Sequence, residues 1–206
     1  MAKCTQNKYN NVYASVGFHP TEIDVSEEDF TKVMSLLKDE KVVALGEIGL
    51  DYYYTKENKD KQKELFEEML NLARNHDLPV IVHSRKSIQD TFDILKEYDV
   101  VGSMHCYQGS AEMAQEFIKL GFFIGVSGPV THTNNKKIRK MIRKVDISNI
   151  LVETDSPYLA PQEKRGEKNT PLNLKYIIGK IAEELDMSEE EVIKITSHNA
   201  MELFNL

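Results

Sequence analysis

The chain has 206 residues, 41% of them apolar and 29% charged, with a formal charge of −7. That apolar share supplies a substantial core and excludes a disordered chain, and no stretch approaches the ~18 uncharged apolar residues of a membrane span. The acidic balance argues against broad sequence-independent nucleic-acid binding, though it leaves room for local contacts. The opening MAKCTQNKYNN has no apolar run and so does not read as a secretory signal; a cytoplasmic location is expected. Cys4 and Cys106 are the only cysteines, with no CxxC, so a disulfide framework or a cysteine-only zinc site is excluded.

In chain order, β-branched runs alternate with helical patterns. VYASVG (12–17) reads as a strand. A helix follows, opened by the capping pair Ser26 and Asp29, with Phe30, Val33, Met34 and Leu37 on one face. VVALGEIG (42–49) is the second strand, and Leu65, Phe66, Met69, Leu72 and Ala73 mark the next helix. PVIVHS (79–84) precedes a helix carrying Ile88, Phe92 and Leu95. VGSMHC (101–106) precedes one with Met113, Ala114, Phe117 and Leu120, stopped by Gly121. FFIGVSG (122–128) leads to Ile138, Met141, Ile142 and Val145, and ILVETD (150–155) is the sixth strand. Two helices close the chain. One carries Leu174, Ile177, Ile178, Ile181, Ala182 and Leu185; the other is capped by Ser188 and Glu191 and holds Val192, Ile193 and Ile195. The near-continuous apolar content of the strands is that of a parallel sheet covered on both faces. Residues 1–206 read as a single α/β domain, either an open doubly wound sheet or a (β/α)8 barrel.

The polar residues favour the barrel. Five strands run into chemically capable groups: Phe18-His19-Pro20, Glu47, His83-Ser84-Arg85, His105 and Asp155-Ser156-Pro157. Sites in parallel α/β folds lie at the C-terminal strand ends, and only a closed barrel converges so many of them on one axis. Glu47, His83, His105 and Asp155 are two imidazoles and two carboxylates, a set that suits zinc or manganese, with magnesium at the carboxylates. Carboxylates can also bridge two ions for a hydrolytic displacement. The basic helix of Lys136, Lys137, Arg139, Lys140, Arg143 and Lys144 reads as a solvated face, with a phosphate-contacting patch as the alternative. Asp51, Tyr52, Tyr53 and Tyr54 follow GEIGL, and the tyrosines either pack the rim or stack on substrate. His76 reads as a C-terminal helix residue. His132 and His198 have no evident partner, and Cys106 reads as a small buried residue.

The stretches VGFHP (16–20), GEIGLDYY (46–53), PVIVHSR (79–85), MHCYQGS (104–110), ETDSPYL (153–159) and SHNAMELF (197–204) resemble the TatD family of metal-dependent hydrolases over essentially the whole chain. The resemblance implies a TIM-type barrel and a divalent-metal phosphodiesterase, usually described as a deoxyribonuclease. It implies that Glu47 bridges two metals, that His83 and His105 hold one, and that Asp155 holds the other and accepts a proton from the attacking water. His19 then lines the site and Arg85 meets a phosphate, so these two are the expected substrate-binding residues. The cofactors implied are divalent ions (Zn, Mn or Mg), two in the family and about one here. The partner is DNA or another phosphate ester, with no membrane.

Two departures from the family pattern stand out. The family's opening strand with a His-x-His pair, its helix and a second strand have no counterpart. KYNNVYASVGFHP corresponds to the end of the second helix and the third strand. Against the roughly 250 residues of a barrel, about one and a half β-α units are missing, leaving about six units plus a C-terminal helix. The strands VYASVG and ILVET then form an open seam through which self-association is expected. In the second departure, the family's Arg-Gly-x-x-Asn-Glu-Pro stretch is RGEKNTP (165–171), with Thr170 in place of the glutamate. The rival readings are a truncated inactive relic and a family member that hydrolyses the ester of aminoacyl-tRNA.

Overall fold

A computed structural model describes residues 9–53 and 57–206. Cys4, Lys8 and Tyr54 lie outside the described residues. The chain forms two compact units, one from the N-terminus to Gly102 and one from Ser103 to Phe204. Among the described residues, no helix is long and apolar enough to cross a membrane.

In the first unit, β1 (Ala14–Val16), β2 (Val42–Asp51) and β3 (Val80–Arg85) pair in parallel in that order. The crossovers are α1 (Glu27–Leu36) and α2 (Lys59–Asn75), and α3 (Ile88–Leu95) follows β3. The reciprocal capping box of Ser26 and Asp29 starts α1. Its apolar face is narrower than the spacing suggests. Val33 is buried and Phe30 packs on Phe18, with ring centroids 5.0 Å apart, but Met34 is 41% exposed. The α2 face is the expected one: Leu65, Phe66, Met69 and Ala73 are buried, joined by Leu70. Strand β2 is buried almost throughout, as a strand covered on both sides should be, and its pairing with β3 shifts by a bulge between Gly46 and Ile48.

In the second unit, β5 (Phe122–Val126) and β6 (Ile150–Val152) pair in parallel. β4 (Gly102–Met104) begins at the last residue of the first unit. The helices are α4 (Ala111–Lys119), α5 (Lys136–Ile142), α6 (Leu174–Leu185) and α7 (Glu189–Phe204). Phe117 and Phe122 are buried with edge-on rings, and Ile177, Ile181 and Val192 carry the apolar faces of α6 and α7.

The basic segment is a largely solvated face, as expected, with Lys136, Lys137, Lys140, Arg143 and Lys144 exposed and Arg139 turned inward. Arg139 donates to the carbonyls of Val130, His132 and Thr133 at 3.3, 2.7 and 2.9 Å. Arg139, Arg143 and Lys180 all converge on Glu184 of α6, whose side chain is only 7% exposed. Burial alone would raise the Glu184 carboxyl, but hydrogen bonding and charge from Arg143 and Lys180 outweigh it and lower the pKa. A carboxylate depressed in the fold contributes stability above its unfolded pKa and loses it as pH falls. Glu184→Gln should therefore destabilise the chain by about 2 kcal/mol at neutral pH, with the difference shrinking in acid. Denaturant melts across pH 3 to 7 measure it; a pH-independent difference would assign the loss to packing.

Candidate metal centre

Strand ends carry the chemistry. The register puts His83 of β3 opposite Gly49 of β2. A Cβ at Gly49 would lie 2.1 Å from the His83 carbonyl oxygen, and Gly49 has φ 132°, so only glycine lets the two backbones approach there. The His83 ring lies between two carboxylates of β2. Nδ1 is 3.4 Å from Glu47 Oε2 and Nε2 is 3.0 Å from Asp51 Oδ2.

His19 completes this cluster. Its ring meets that of His83 edge-on, with centroids 4.6 Å apart, and its Nε2 is 3.7 Å from Glu47 Oε2. One donor atom each from His19, Glu47 and His83 falls within 4.8 Å of the others. Burial and the neighbouring His83 lower the His19 pKa, so its ring is neutral near pH 7. The backbone N–H of Thr21 donates to His19 Nδ1 at 3.3 Å, and the Thr21 hydroxyl lies 2.7 Å from the same atom. Nδ1 is thus the acceptor and Nε2 carries the proton toward Glu47. His19 is set up as a hydrogen-bond donor, which fits a residue lining the site better than a ligand.

Arg85 ends β3 with its guanidinium over the Tyr53 ring, 3.9 Å from the centroid. Its charge lies at the same strand end as His83. Of the other tyrosines, Tyr52 packs inward, 6% exposed, and donates its hydroxyl proton to Asp90 at 2.9 Å, which makes it a packing residue.

In the second unit, His105 also lies between two carboxylates. Nδ1 is 2.7 Å from Glu153 Oε2 and Nε2 is 3.2 Å from Asp155 Oδ1. Burial disfavours the charged ring, but the Glu153 charge and the hydrogen bonds to Asp155 and Glu153 prevail and hold it well above the usual histidine range. The other Glu153 oxygen, Oε1, accepts the Cys106 N–H. Cys106 shares a 2.7 Å contact with Ser127 Oγ, and burial together with the Glu153 charge pushes its thiol up to about 12. A thiol held protonated in this way is a packing group and not a nucleophile, as the sequence suggests, although its Sγ lies within 4.8 Å of donor atoms of His105 and Glu153.

Asp155 itself sits at φ 56° in a loop that Asn169 ties together. The Asn169 amide donates to the carbonyls of Thr154 and Tyr158 at 2.7 and 2.6 Å. Its oxygen accepts from Thr170 N–H and Asn173 Nδ2 at 2.9 and 2.8 Å. In RGEKNTP the asparagine is thus the organising residue. Asn199, from SHNAMELF, works similarly by donating to the carbonyls of Ile147 and Ile150 at 2.9 and 2.8 Å, which ties α7 to the start of β6. His132 does have a partner, the Ala160 carbonyl at 3.0 Å.

The structure thus brings His19, Glu47 and His83 together in one unit, and His105 and Asp155 in the other. Sequence reasoning missed Asp51 and Glu153. Both lie within the stretches GEIGLDYY and ETDSPYL, and the available signal was their nearness in sequence to Glu47 and Asp155. Asp51 lies four residues beyond Glu47 on β2, and Glu153 two residues before Asp155.

Neutral imidazole nitrogen and carboxylate oxygen are the donors that borderline divalent ions take. The opposition of His83 Nδ1 to a Glu47 oxygen suits a cation, because neither atom gains from facing the other without a proton or an ion between them. The residues present fit such an ion.

Parallel β/α units with imidazole and carboxylate at their strand ends define a metal-dependent hydrolase. The chain matches the family model described as TatD related DNase over residues 1–205. It is 43% identical over 203 residues to the uncharacterized metal-dependent hydrolase YabD of Bacillus subtilis, covering 97% of this chain and 80% of that protein. With the uncharacterized metal-dependent hydrolase YcfH of Escherichia coli K12 it shares 40% identity over 200 residues, 96% of this chain and 75% of the relative. The crystal structure of YjjV, a TatD homolog of E. coli K12, superposes with a TM-score of 0.92 at 32% identity, covering 97% of this chain and 79% of that one. The chain belongs to the TatD family of metal-dependent hydrolases. Its fold is that family's TIM-type barrel fold, of which it carries six β-α units.

Proposed function

We propose that this hydrolase cleaves phosphate-ester bonds at DNA ends. The observation that carries the reading is the pairing of imidazole and carboxylate donors at the strand ends with the guanidinium of Arg85 on the same strand as His83. That combination suits an anionic ester, and the family description as a DNase points to nucleic acid as its source. It also suits an acidic protein, because phosphate charge is met locally and needs no basic surface.

Glu47, His83, His105 and Asp155 are the proposed residues that would hold divalent ions (Zn, Mn or Mg). Bound there, an ion supplies Lewis acidity to the phosphoryl oxygens and acidifies a water. Asp155 then accepts the proton of the attacking water. Glu47 supplies the negative charge that fixes the cationic centre. His19, neutral with its proton on Nε2, donates to Glu47 or to a phosphoryl oxygen, and Arg85 orients the phosphate.

The test is end-labelled single-stranded DNA incubated with the chain and manganese or magnesium, beside an aminoacyl-tRNA substrate. Stepwise release of nucleotides, abolished by a chelator, is the expected result. Hydrolysis of the aminoacyl ester without attack on DNA would overturn the substrate assignment while keeping the metal-dependent chemistry.

A further inference from the structure

We propose that Asp51 is a positioning residue that fixes the tautomer of His83, so that His83 offers Nδ1 to the metal. The inference rests on the metal-hydrolase reading of the site and adds a residue to it.

Asp51 ends β2 as a carboxylate only 1% exposed, and such a charge survives burial only if its oxygens are satisfied. Oδ1 accepts the Tyr53 backbone N–H at 2.8 Å. Oδ2 lies 3.0 Å from His83 Nε2. A carboxylate can only accept, so the proton of this pair belongs to Nε2. In a neutral imidazole the other nitrogen, Nδ1, is then the bare lone pair, and Nδ1 is the atom 3.4 Å from Glu47 Oε2.

Asp51 is held as firmly as it holds. Its backbone N–H donates to Gln62 Oε1 at 2.8 Å, and Gln62 Nε2 donates back to the Asp51 carbonyl at 3.0 Å. Gln62 is itself 1% exposed, an amide from α2 fully committed to the end of β2. The carboxylate therefore has a fixed direction, and a ring hydrogen-bonded to it has a fixed orientation. A carboxylate behind an imidazole ligand also raises its basicity and pays the orientation cost before the ion arrives.

The chemistry supplies a clean test. In Asp51→Asn the oxygen stays opposite the Tyr53 N–H, because the reversed amide would set two donors face to face. The amide nitrogen then points at His83 Nε2 and donates to it. The ring must move its proton to Nδ1, where it meets Glu47 Oε2 as a donor. The Tyr53 N–H, His83 Nε2 and Glu47 Oε2 each keep a partner and the side chain keeps its size, so the variant should fold, yet the ligand atom now carries a proton.

We would measure manganese affinity of both proteins by competition with a chelating dye, and the His83 tautomer in the metal-free proteins by two-bond 1H–15N NMR. The expected result is the Nε2–H form in the wild type, the Nδ1–H form in Asp51→Asn, and manganese affinity lower by about 10- to 100-fold in the variant. A wild-type His83 with its neutral-form proton on Nδ1 would overturn the proposal whatever the variant does. So would equal manganese affinity in the two proteins. A wild-type chain that binds no manganese would instead remove the metal-hydrolase reading on which the proposal rests.

Discussion

Glu47→Gln is expected to lower metal-dependent hydrolysis by several orders of magnitude while shifting the unfolding free energy by less than about 1 kcal/mol. Glutamine keeps the size and reach of the side chain but removes the charge that faces His83 Nδ1 at 3.4 Å and His19 Nε2 at 3.7 Å. In the function proposed above, charge stabilisation of the phosphoryl group and activation of water would both depend on the ion that this carboxylate would hold. The two losses therefore compound in kcat, and raising substrate concentration cannot rescue them. The fold has little at stake, because the Glu47 side chain is 30% exposed and glutamine keeps its shape and reach. Steady-state rates with manganese, alongside a denaturant melt, separate the two quantities. A variant with wild-type turnover would remove Glu47 from the site.

Gly49→Ala should act in the opposite manner, through the backbone first. The position has φ 132°, a conformation that an L side chain adopts only under strain. The new Cβ would also lie 2.1 Å from the His83 carbonyl oxygen, and both contacting groups are backbone. Neither can swing away, so β2 and β3 must part where His83 sits opposite Gly49. A cost of about 2 to 4 kcal/mol follows from strain and overpacking together. Because the gap opens beneath the histidine, manganese binding should fall as well, which a surface destabilisation of equal size would not cause. A melt and a metal titration on the same protein distinguish these. Full stability in the variant would show that the strands tolerate the separation.

The order of elements was legible because each rests on local physics. Ser26 with Asp29 and Ser188 with Glu191 announce helix starts by side chains that bond three residues away. The strands announce themselves as short buried runs. His19, Glu47, His83, His105 and Asp155 were legible because a titratable residue at the end of an apolar strand is conspicuous. Asp51 and Glu153 were not, because what defines them is a second strand or a histidine far along the chain. His83 is 32 residues from Asp51, and His105 is 48 from Glu153. The basic helix is solvated as expected at Lys136, Lys137, Lys140, Arg143 and Lys144, and Arg139 is the exception for the same reason. Arg139 looks solvated along its own helix, and only Glu184, together with the carbonyls it meets, shows why its side chain is 12% exposed, whereas Arg143 pairs with the same carboxylate and stays exposed. Met34 departs the other way: spacing places it on the apolar face, but its side chain is 41% exposed.

The loop that carries Asp155 has almost no regular structure, yet the single amide of Asn169 gathers carbonyls from Thr154 and Tyr158 and N–H groups from Thr170 and Asn173. In polymer terms it is a cross-link. It joins positions 15 apart in the sequence, Thr154 and Asn169, much as a disulfide would, and divides one long excursion into smaller ones. Unlike a disulfide, this bridge has no redox potential. No thiol in the surroundings can open it and no oxidant is needed to form it, so the order of the loop comes with the polypeptide itself.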